Sequence, residues 1–249
     1  MNKAILEFIN YTNNYHGYGN MIDLKVKHTF RVMRLCEKLA SNLNLNDEEI
    51  YIAKLIGLLH DIGRFEQWKK YQTFRDLISI DHADFGIKIL KKDNYIREYI
   101  TDDKHDDIIF KSIKYHNKYR LPKNLTKQEK KFIKIIRDAD KIDILFLYTI
   151  RDLEVELDEE LSEYVYESLL NREDVDRKKL GTKTDLLAVS LGFIFDINYK
   201  ESIEYLKDKE YVDTIIDIYK KETNNKKLKR QLEEIRKEIN KYIEERLTC

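Results

Sequence analysis

The stretch Leu58-Leu59-His60-Asp61-Ile62-Gly63-Arg64 places a histidine and a carboxylate side by side at the end of an apolar run that begins at Ala53. A glycine and a cation follow at once. Burying charged groups costs free energy unless they are paired or bound to a metal. The pair therefore predicts either a metal site or an ordinary helix end capped by the glycine. In the metal site, His60 and Asp61 are ligands and Arg64 faces an anionic substrate.

The composition of the chain narrows the classes of function. Its 249 residues contain 46 Lys and Arg against 46 Asp and Glu, so the formal net charge is zero. A nucleic-acid-binding protein usually carries a strongly basic surface, so nucleic acid is not an expected partner. No apolar run approaches the roughly 20 residues that cross a bilayer, so no membrane span is expected. Two cysteines give no disulfide framework, which fits a reducing cytoplasm.

Apolar residues recur at helical spacing along most of the chain, and no stretch alternates as a strand does. One proline and seven glycines are few for this length and favour long helices. The predicted fold is all-α, an HD-domain-like helical bundle with additional C-terminal helices packed on it. We expect one domain over residues 1–249, with a metal-bearing core at 20–150 and a C-terminal extension at 151–249.

Capping residues and apolar spacing set the predicted boundaries of the elements. In the core, helices are predicted at 3–11, at 23–40, from 47 to the His60-Asp61 pair, at 80–91 with Ser79 as cap, at 108–115 and from 127 onward. Residues 65–74 are predicted to be a loop or a short helix. In the extension, we expect one or two acidic helices at 152–170, a loop at 171–184, a buried helix at 186–197 and a long helix from 226.

Three further histidines and an aspartate fall on apolar-faced helices or near predicted helix ends: His28, His82, His116 and Asp140. A single histidine on an apolar face is more often a core residue than a ligand. Several such residues beside a His-Asp pair favour a metal site, for which imidazole and carboxylate suit iron, zinc, manganese or nickel. A cysteine-rich structural zinc site is excluded because the chain has no pair of neighbouring thiolates.

The order of these residues resembles a known family. His28, then His60-Asp61, then Asp140 is similar to the H…HD…D signature of the HD-domain metal-dependent phosphohydrolase superfamily, over roughly residues 20–150. The segment 58–64 is its most specific part. The resemblance implies a helical bundle in which His28, His60, Asp61 and Asp140 bind one divalent ion, whether iron, manganese, zinc, nickel or magnesium.

The resemblance also implies roles for the remaining histidines. In members with two metals, histidines between the HD pair and the last aspartate hold the second ion. Here those would be His82 and His116, with Asp61 bridging the ions. The alternative is one ion, with His82 and His116 binding phosphate. In such a site we expect Arg64 to offset charge on the phosphoryl oxygens and Asp61 to accept a proton from the metal-bound water, so both are candidate catalytic residues.

Cations are the natural contacts for a phosphate group. Arg64, Lys118 and Lys183 are the candidate substrate-binding residues. The alternative for each lysine is an ordinary surface position.

The chain departs from several well-defined branches of that superfamily. After His116 it lacks the second histidine and the GYP stretch of the cyclic-dinucleotide hydrolases. After Arg64 it lacks the Glu-Asp pair of the alarmone hydrolases and the extra histidine of the deoxynucleotide triphosphohydrolases. By elimination, we expect hydrolysis of a small phosphate ester or nucleotide, by a phosphomonoesterase, nucleotidase or phosphodiesterase.

A second class of function is a metal-binding regulatory or interaction module. Its support is the apolar stripe Leu228, Leu232, Ile235, Ile239 and Tyr242, which recurs every three or four residues on a charged helix. Such a stripe pairs with a partner helix or packs on the protein's own body. The sequence also leaves a homo-oligomer open. A metal analysis together with a phosphatase substrate screen discriminates the enzyme from the module.

Overall fold

The computed structural model describes residues 1–153, 155–157, 159–173 and 175–248. Every regular element in these residues is helical, which confirms the all-α prediction. In the first part of the chain the α-helices are α1 (Asn2–Asn13), α2 (Asn20–Asn42), α3 (Asp47–Leu59), α4 (Ile62–Tyr71), α5 (His82–Lys91), α6 (Asp106–Tyr115) and α7 (Lys127–Thr149). They are followed by α8 (Glu163–Leu170), α9 (Asp185–Gly192), α10 (Lys200–Asp208), α11 (Tyr211–Glu222) and α12 (Lys226–Thr248). None of the helices within the described ranges is long and apolar enough to cross a bilayer.

The chain divides into two compact units, Met1–Asp140 and Lys141–Cys249. The boundary falls inside α7, ten residues before the predicted start of the extension at 151. All six predicted metal ligands belong to the first unit. The expectation of one domain over residues 1–249 stays a prediction.

Helices α2 and α3 form the centre of the first unit. The helix α3 starts at a capping box, in which the Asn46 side chain accepts a hydrogen bond from the Glu49 amide and Glu49 bonds back to the Asn46 amide. Near its other end, Gly57 lets the two helices approach closely: a methyl group there would lie 2.8 Å from the Cα of Met33. This approach brings the buried His28 of α2 next to the end of α3.

The chain breaks direction between α3 and α4 at Asp61, whose backbone lies at φ −105° and ψ 15°. Such bridge-region angles end one helix and allow another to start at once. Gly63 therefore lies in the first turn of α4 and is not a left-handed cap, so the ordinary helix end considered above is wrong. It packs against the start of α5, where a methyl group on Gly63 would lie 2.2 Å from the carbonyl oxygen of His82.

Around α4 and α5, the structure selects one of two predicted alternatives and corrects one predicted cap. The residues predicted as a loop or short helix at 65–74 are helical as far as Tyr71. Helix α5 is capped by Asp81 and not by Ser79, because the Asp81 side chain accepts the amide of Asp84 at 3.0 Å. The hydroxyl of Ser79 donates instead to the carbonyl of Arg75, at 2.8 Å.

The second unit departs further from the sequence predictions. Of the acidic segment 152–170, only Glu163–Leu170 is helical among the described residues, and Glu154 and Asp158 lie outside them. The buried helix predicted at 186–197 is α9 followed by a short 3-10 helix, Phe193–Asp196. No helix was predicted for the residues that form α10 and α11.

The apolar stripe of α12 is buried within its own unit. Leu228, Leu232 and Ile239 are fully buried and Ile235 is 1% exposed, where α12 packs against α8, α10 and α11. The hydroxyl of Tyr242 donates to the carbonyl of Phe195. The stripe is therefore a core face, and the interaction module that was to use it for a partner helix loses its support.

Candidate metal centre

Five helix ends or faces of the first unit bring the six predicted ligands together. His28 lies on α2, and Asp140 lies on α7. His60 and Asp61 form the junction of α3 and α4. His82 is the first residue of α5, and His116 directly follows the end of α6. Their donor atoms form two close groups: His28, His60 and Asp140, and His60, Asp61 and His116. His82 joins the second group, with its Nε2 atom 3.0 Å from Nε2 of His116, so all six residues lie in one cluster. Their role as metal ligands stays a prediction.

Asp61 lies at the centre of this cluster. Its Oδ2 is 3.6 Å from Nε2 of His28 and 3.6 Å from Nε2 of His60. Its Oδ1 is 3.2 Å from Nε2 of His82 and 3.9 Å from Nε2 of His116. The two carboxylate oxygens therefore face two different pairs of imidazoles.

Asp140 closes the cluster on the side of the first pair. Its Oδ1 is 3.2 Å from Nε2 of His28 and 3.8 Å from Nε2 of His60. Burial alone would raise the pKa of this carboxyl, but the hydrogen bond from His28 and the charge of the neighbouring imidazoles hold it well below its usual range. Asp140 is therefore a carboxylate at neutral pH.

Three of the imidazoles are oriented by a hydrogen bond from their other ring nitrogen. Nδ1 of His60 lies 2.8 Å from the carbonyl oxygen of Gly57, and Nδ1 of His116 lies 2.7 Å from that of Ile113. A carbonyl oxygen only accepts, so both Nδ1 atoms carry the proton. Nδ1 of His82 lies 2.7 Å from Oδ2 of Asp76. In each ring, Nε2 is thus the nitrogen directed into the cluster, as in metal-binding histidines.

The imidazoles of His60, His82 and His116 are neutral in this environment. Burial, with smaller contributions from Arg64 for His82 and from His60 for His116, lowers the pKa of His82 and of His116 to about 4. Burial also lowers the pKa of His60. Neutral rings that are protonated on Nδ1 present a lone pair at Nε2, which is the form that binds metals.

The arrangement of these lone pairs fits divalent metal ions. Nε2 of His60 is buried and makes no hydrogen bond within the described residues. Nε2 of His82 and Nε2 of His116 lie 3.0 Å apart, so two lone pairs face each other. Neutral imidazoles and carboxylates are a donor set for iron, manganese, zinc or nickel, and the residues present therefore fit the group.

Two cations also contact Asp61, and only one of them, Arg64, was predicted from the sequence. The ammonium group of Lys25 donates to Oδ2 at 2.7 Å, and Nε of Arg64 is 3.5 Å from Oδ1. Burial opposes ionisation of Asp61, but the charges of Lys25, the imidazoles and Arg64 lower its pKa well below the usual range. Lys25 precedes His28 by three residues and shares that face of α2, but this spacing alone does not distinguish it from the other lysines of the helix.

Asp76 is a second residue that sequence reasoning missed. It accepts hydrogen bonds from Arg64 at 2.8 Å, from Gln67 at 2.9 Å and from His82 at 2.7 Å. Burial opposes its ionisation, but these partners hold the pKa of its carboxyl well below the ordinary value. It lies in a short 3-10 helix, Asp76–Ile78, with no apolar period, so no sequence signal marks it.

The predicted lysine contacts lie in different surroundings. The ammonium group of Lys118 contacts Asp81 at 2.5 Å and Asp84 at 2.7 Å. Lys183 belongs to the second unit, where its side chain is 61% exposed and pairs with Glu156 at 2.7 Å. Both lysines therefore have carboxylate partners, which is typical of ordinary surface lysines. Their assignment as phosphate contacts stays a prediction.

Comparison with known proteins agrees with this geometry. Residues 26–145 match the family model described as the HD domain. No curated protein and no solved structure gives a significant match. The matched segment begins two residues before His28 and ends five residues after Asp140, so it contains the whole cluster. HD domains are helical and generally belong to metal-dependent hydrolases. This match identifies residues 26–145 as an HD domain.

Proposed function

We propose that the protein is a metal-dependent phosphohydrolase that cleaves a small phosphate ester or a nucleotide. The observation that carries this proposal is the placement of Asp61, whose two oxygens face two pairs of imidazoles. A carboxylate that faces two sets of ligands suits a bridge between two ions. A site built only to organise the fold would not need a second set.

The residues divide naturally between two ions. His28, His60 and Asp140 would hold the first, and His82 and His116 the second, with Asp61 shared. Divalent ions in such a site supply two effects: they lower the pKa of a water molecule toward neutrality, and they polarise a phosphoryl oxygen. The identity of the metal, whether iron, manganese, zinc, nickel or magnesium, stays open.

Asp61 and Arg64 are the proposed catalytic residues. Both oxygens of Asp61 are directed at imidazoles or at Lys25, so its main role here is that of a ligand. Nη1 of Arg64 donates to Gln67 at 2.9 Å, to the Phe74 carbonyl at 2.6 Å and to Asp76 at 2.8 Å. These bonds fix the guanidinium group beside the cluster. A cation held in place offsets charge on phosphoryl oxygens without being reorganised during the reaction.

The exposed fractions of the side chains favour an entrance to the site past Asp140, Arg64 and Asp76. The imidazole side chains of the cluster are at most 2% exposed. By contrast, Asp140 is 20% exposed, Arg64 is 15% and Asp76 is 26%. A substrate therefore reaches the centre past charged groups, which suits a small, charged phosphate compound. A cytoplasmic location and a homo-oligomeric state stay predictions.

A matched pair of aspartate variants tests the proposal. Wild type should bind divalent metal, measured by elemental analysis, and should hydrolyse members of a panel of phosphomonoesters, nucleotides and phosphodiesters. Asp61→Asn should lose most of the metal and the hydrolysis. Asp84→Asn is the control, because this carboxylate lies on α5 and pairs with Lys118, outside the cluster. Metal-loaded wild type that hydrolyses nothing in the panel would instead favour a metal-binding regulatory module.

A further inference from the structure

Lys25 has no assigned role in the proposed chemistry, although it contacts the central carboxylate. Its ammonium group lies 2.7 Å from Oδ2 of Asp61, and its side chain is 16% exposed. The imidazoles behind it are almost fully buried. Lys25 therefore lies at the boundary between the buried cluster and solvent, on the side from which a substrate arrives.

The ammonium group of Lys25 and the Nη1 atom of Arg64 differ in how fully their donors are used. Nη1 of Arg64 has three acceptors, all of them in the segment 67–76. An ammonium group has three N–H donors. Within the part of the chain that the structure describes, the Lys25 ammonium group makes one hydrogen bond, to Asp61. Lys25 thus keeps donors for a further anion, whereas Nη1 of Arg64 is committed to holding its loop.

Phe74 connects the two cations. Nζ of Lys25 lies 5.4 Å from the centre of its ring, and Cζ of Arg64 lies 5.8 Å from it. A ring at this distance attracts a cation and limits where a long side chain can move. The ring therefore contacts both cations, of which Lys25 lies next to Oδ2 of Asp61 and Arg64 next to Oδ1.

We propose that Lys25 is a substrate-binding residue, whose ammonium group donates a hydrogen bond to a non-bridging oxygen of a phosphoryl group. This inference rests on the proposed function, because it names the group that receives the substrate's phosphate at the same site. Lys25 is better placed for this contact than Lys118 and Lys183, because its carboxylate partner is the central Asp61, whereas theirs lie outside the cluster. Lys25 acts beside Arg64, and the two together match the charge of a phosphoryl dianion.

The test uses the full-length, manganese-loaded protein and inorganic phosphate as the probe. Removing a hydrogen bond to a charged group should weaken phosphate binding about tenfold or more in Lys25→Met, measured by calorimetry. Manganese content, measured by elemental analysis, should stay at the wild-type level. Lys25→Arg should recover part of the affinity, because it keeps a cationic donor. Lys27→Met is the matched control, because Lys27 is exposed on the same helix.

Several outcomes would overturn the inference. Unchanged phosphate affinity in Lys25→Met, or a wild type that binds no phosphate, removes the role in substrate binding. A parallel loss of manganese shows that Lys25 only holds Asp61 in place. An equal effect in Lys27→Met assigns the change to overall charge. If wild type binds phosphate through Lys25 but hydrolyses no phosphate ester, the proposed function fails and the binding role of Lys25 stands.

Discussion

Replacing Gly63 with alanine tests whether the glycine after the His-Asp pair is required by packing. The added methyl group would lie 2.2 Å from the carbonyl oxygen of His82 and 2.8 Å from the amide nitrogen of Gly86. Real Cβ atoms essentially never approach a heavy atom closer than 3.0 Å. The start of α5 must therefore move away from α4 by close to 1 Å, since both atoms belong to the backbone.

The displacement has an energetic and a functional consequence. Overpacking of this kind costs about 1–3 kcal/mol, which exceeds the gain of up to about 1 kcal/mol from placing alanine in a helix. Each kcal/mol lowers the melting temperature of a chain of this size by about 2–4 °C. The carbonyl group that the methyl group would overlap belongs to His82, so the imidazole of His82 moves with its backbone. A misplacement of about 1 Å at a catalytic site can cost on the order of 100-fold in rate.

The assay compares Gly63→Ala with Gly86→Ala, which lies on the opposite side of the same contact. The nearest atoms to a methyl group on Gly86 would be Cγ2 of Ile62, at 3.2 Å, and the amide nitrogen and Cα of Gly63, at 3.4 and 3.9 Å. We expect a lower melting temperature, a lower metal content and a large loss of activity for Gly63→Ala, and a small change for Gly86→Ala. If both variants match wild type in melting temperature and metal content, the packing argument is refuted.

Four other outcomes are expected. His82→Ala and His116→Ala should each reduce bound metal from about two equivalents toward one, whereas one equivalent in wild type and both variants would exclude a second ion. Asp76→Ala should have the same effect as His82→Ala, because it removes the acceptor that orients this ring; unchanged metal content would contradict that. Burial raises the pKa of Cys36, so its thiol should resist alkylation in the native protein, which peptide mapping of the alkylated native protein checks. The free energy of unfolding should also fall as the pH rises above about 9, because the thiol then ionises more readily in the unfolded chain. A fragment of residues 151–249 should melt without a cooperative transition, since it lacks residues 141–150 of the second unit.

The first unit was well predicted because its helices carry local signals. The capping box at Asn46 and the one at Thr126 are both formed, and each marks the start of a helix that leads to a predicted ligand. Short-range signals of this kind depend only on residues three or four positions apart. The helical boundaries in the second unit were predicted less well, because the acidic segment 152–162 has helical composition but none of its described residues is helical, and composition alone does not stabilise a helix.

The six residues of the cluster could be named from the sequence, but two of their partners could not. His28, His60, Asp61 and Asp140 occur in an order that resembles a known signature, and the helix ends added His82 and His116. Lys25 is one of many lysines on charged helices. Its contact with Asp61 joins residues 36 positions apart, which no local pattern shows. Long-range electrostatic contacts of this kind need the packed structure.

The positions of the histidines explain why one oriented ring needs a distant partner and two do not. His60 and His116 each follow a helix, and each donates Nδ1–H to the carbonyl three residues earlier, at Gly57 and Ile113. Carbonyls in the last turn of a helix lack an intrahelical donor, so the same bond satisfies the helix end and orients the ligand. His82 instead starts a helix, where the unsatisfied groups are amides that cannot accept its proton. It therefore depends on an acceptor from outside its own helix, and Asp76 fills that role.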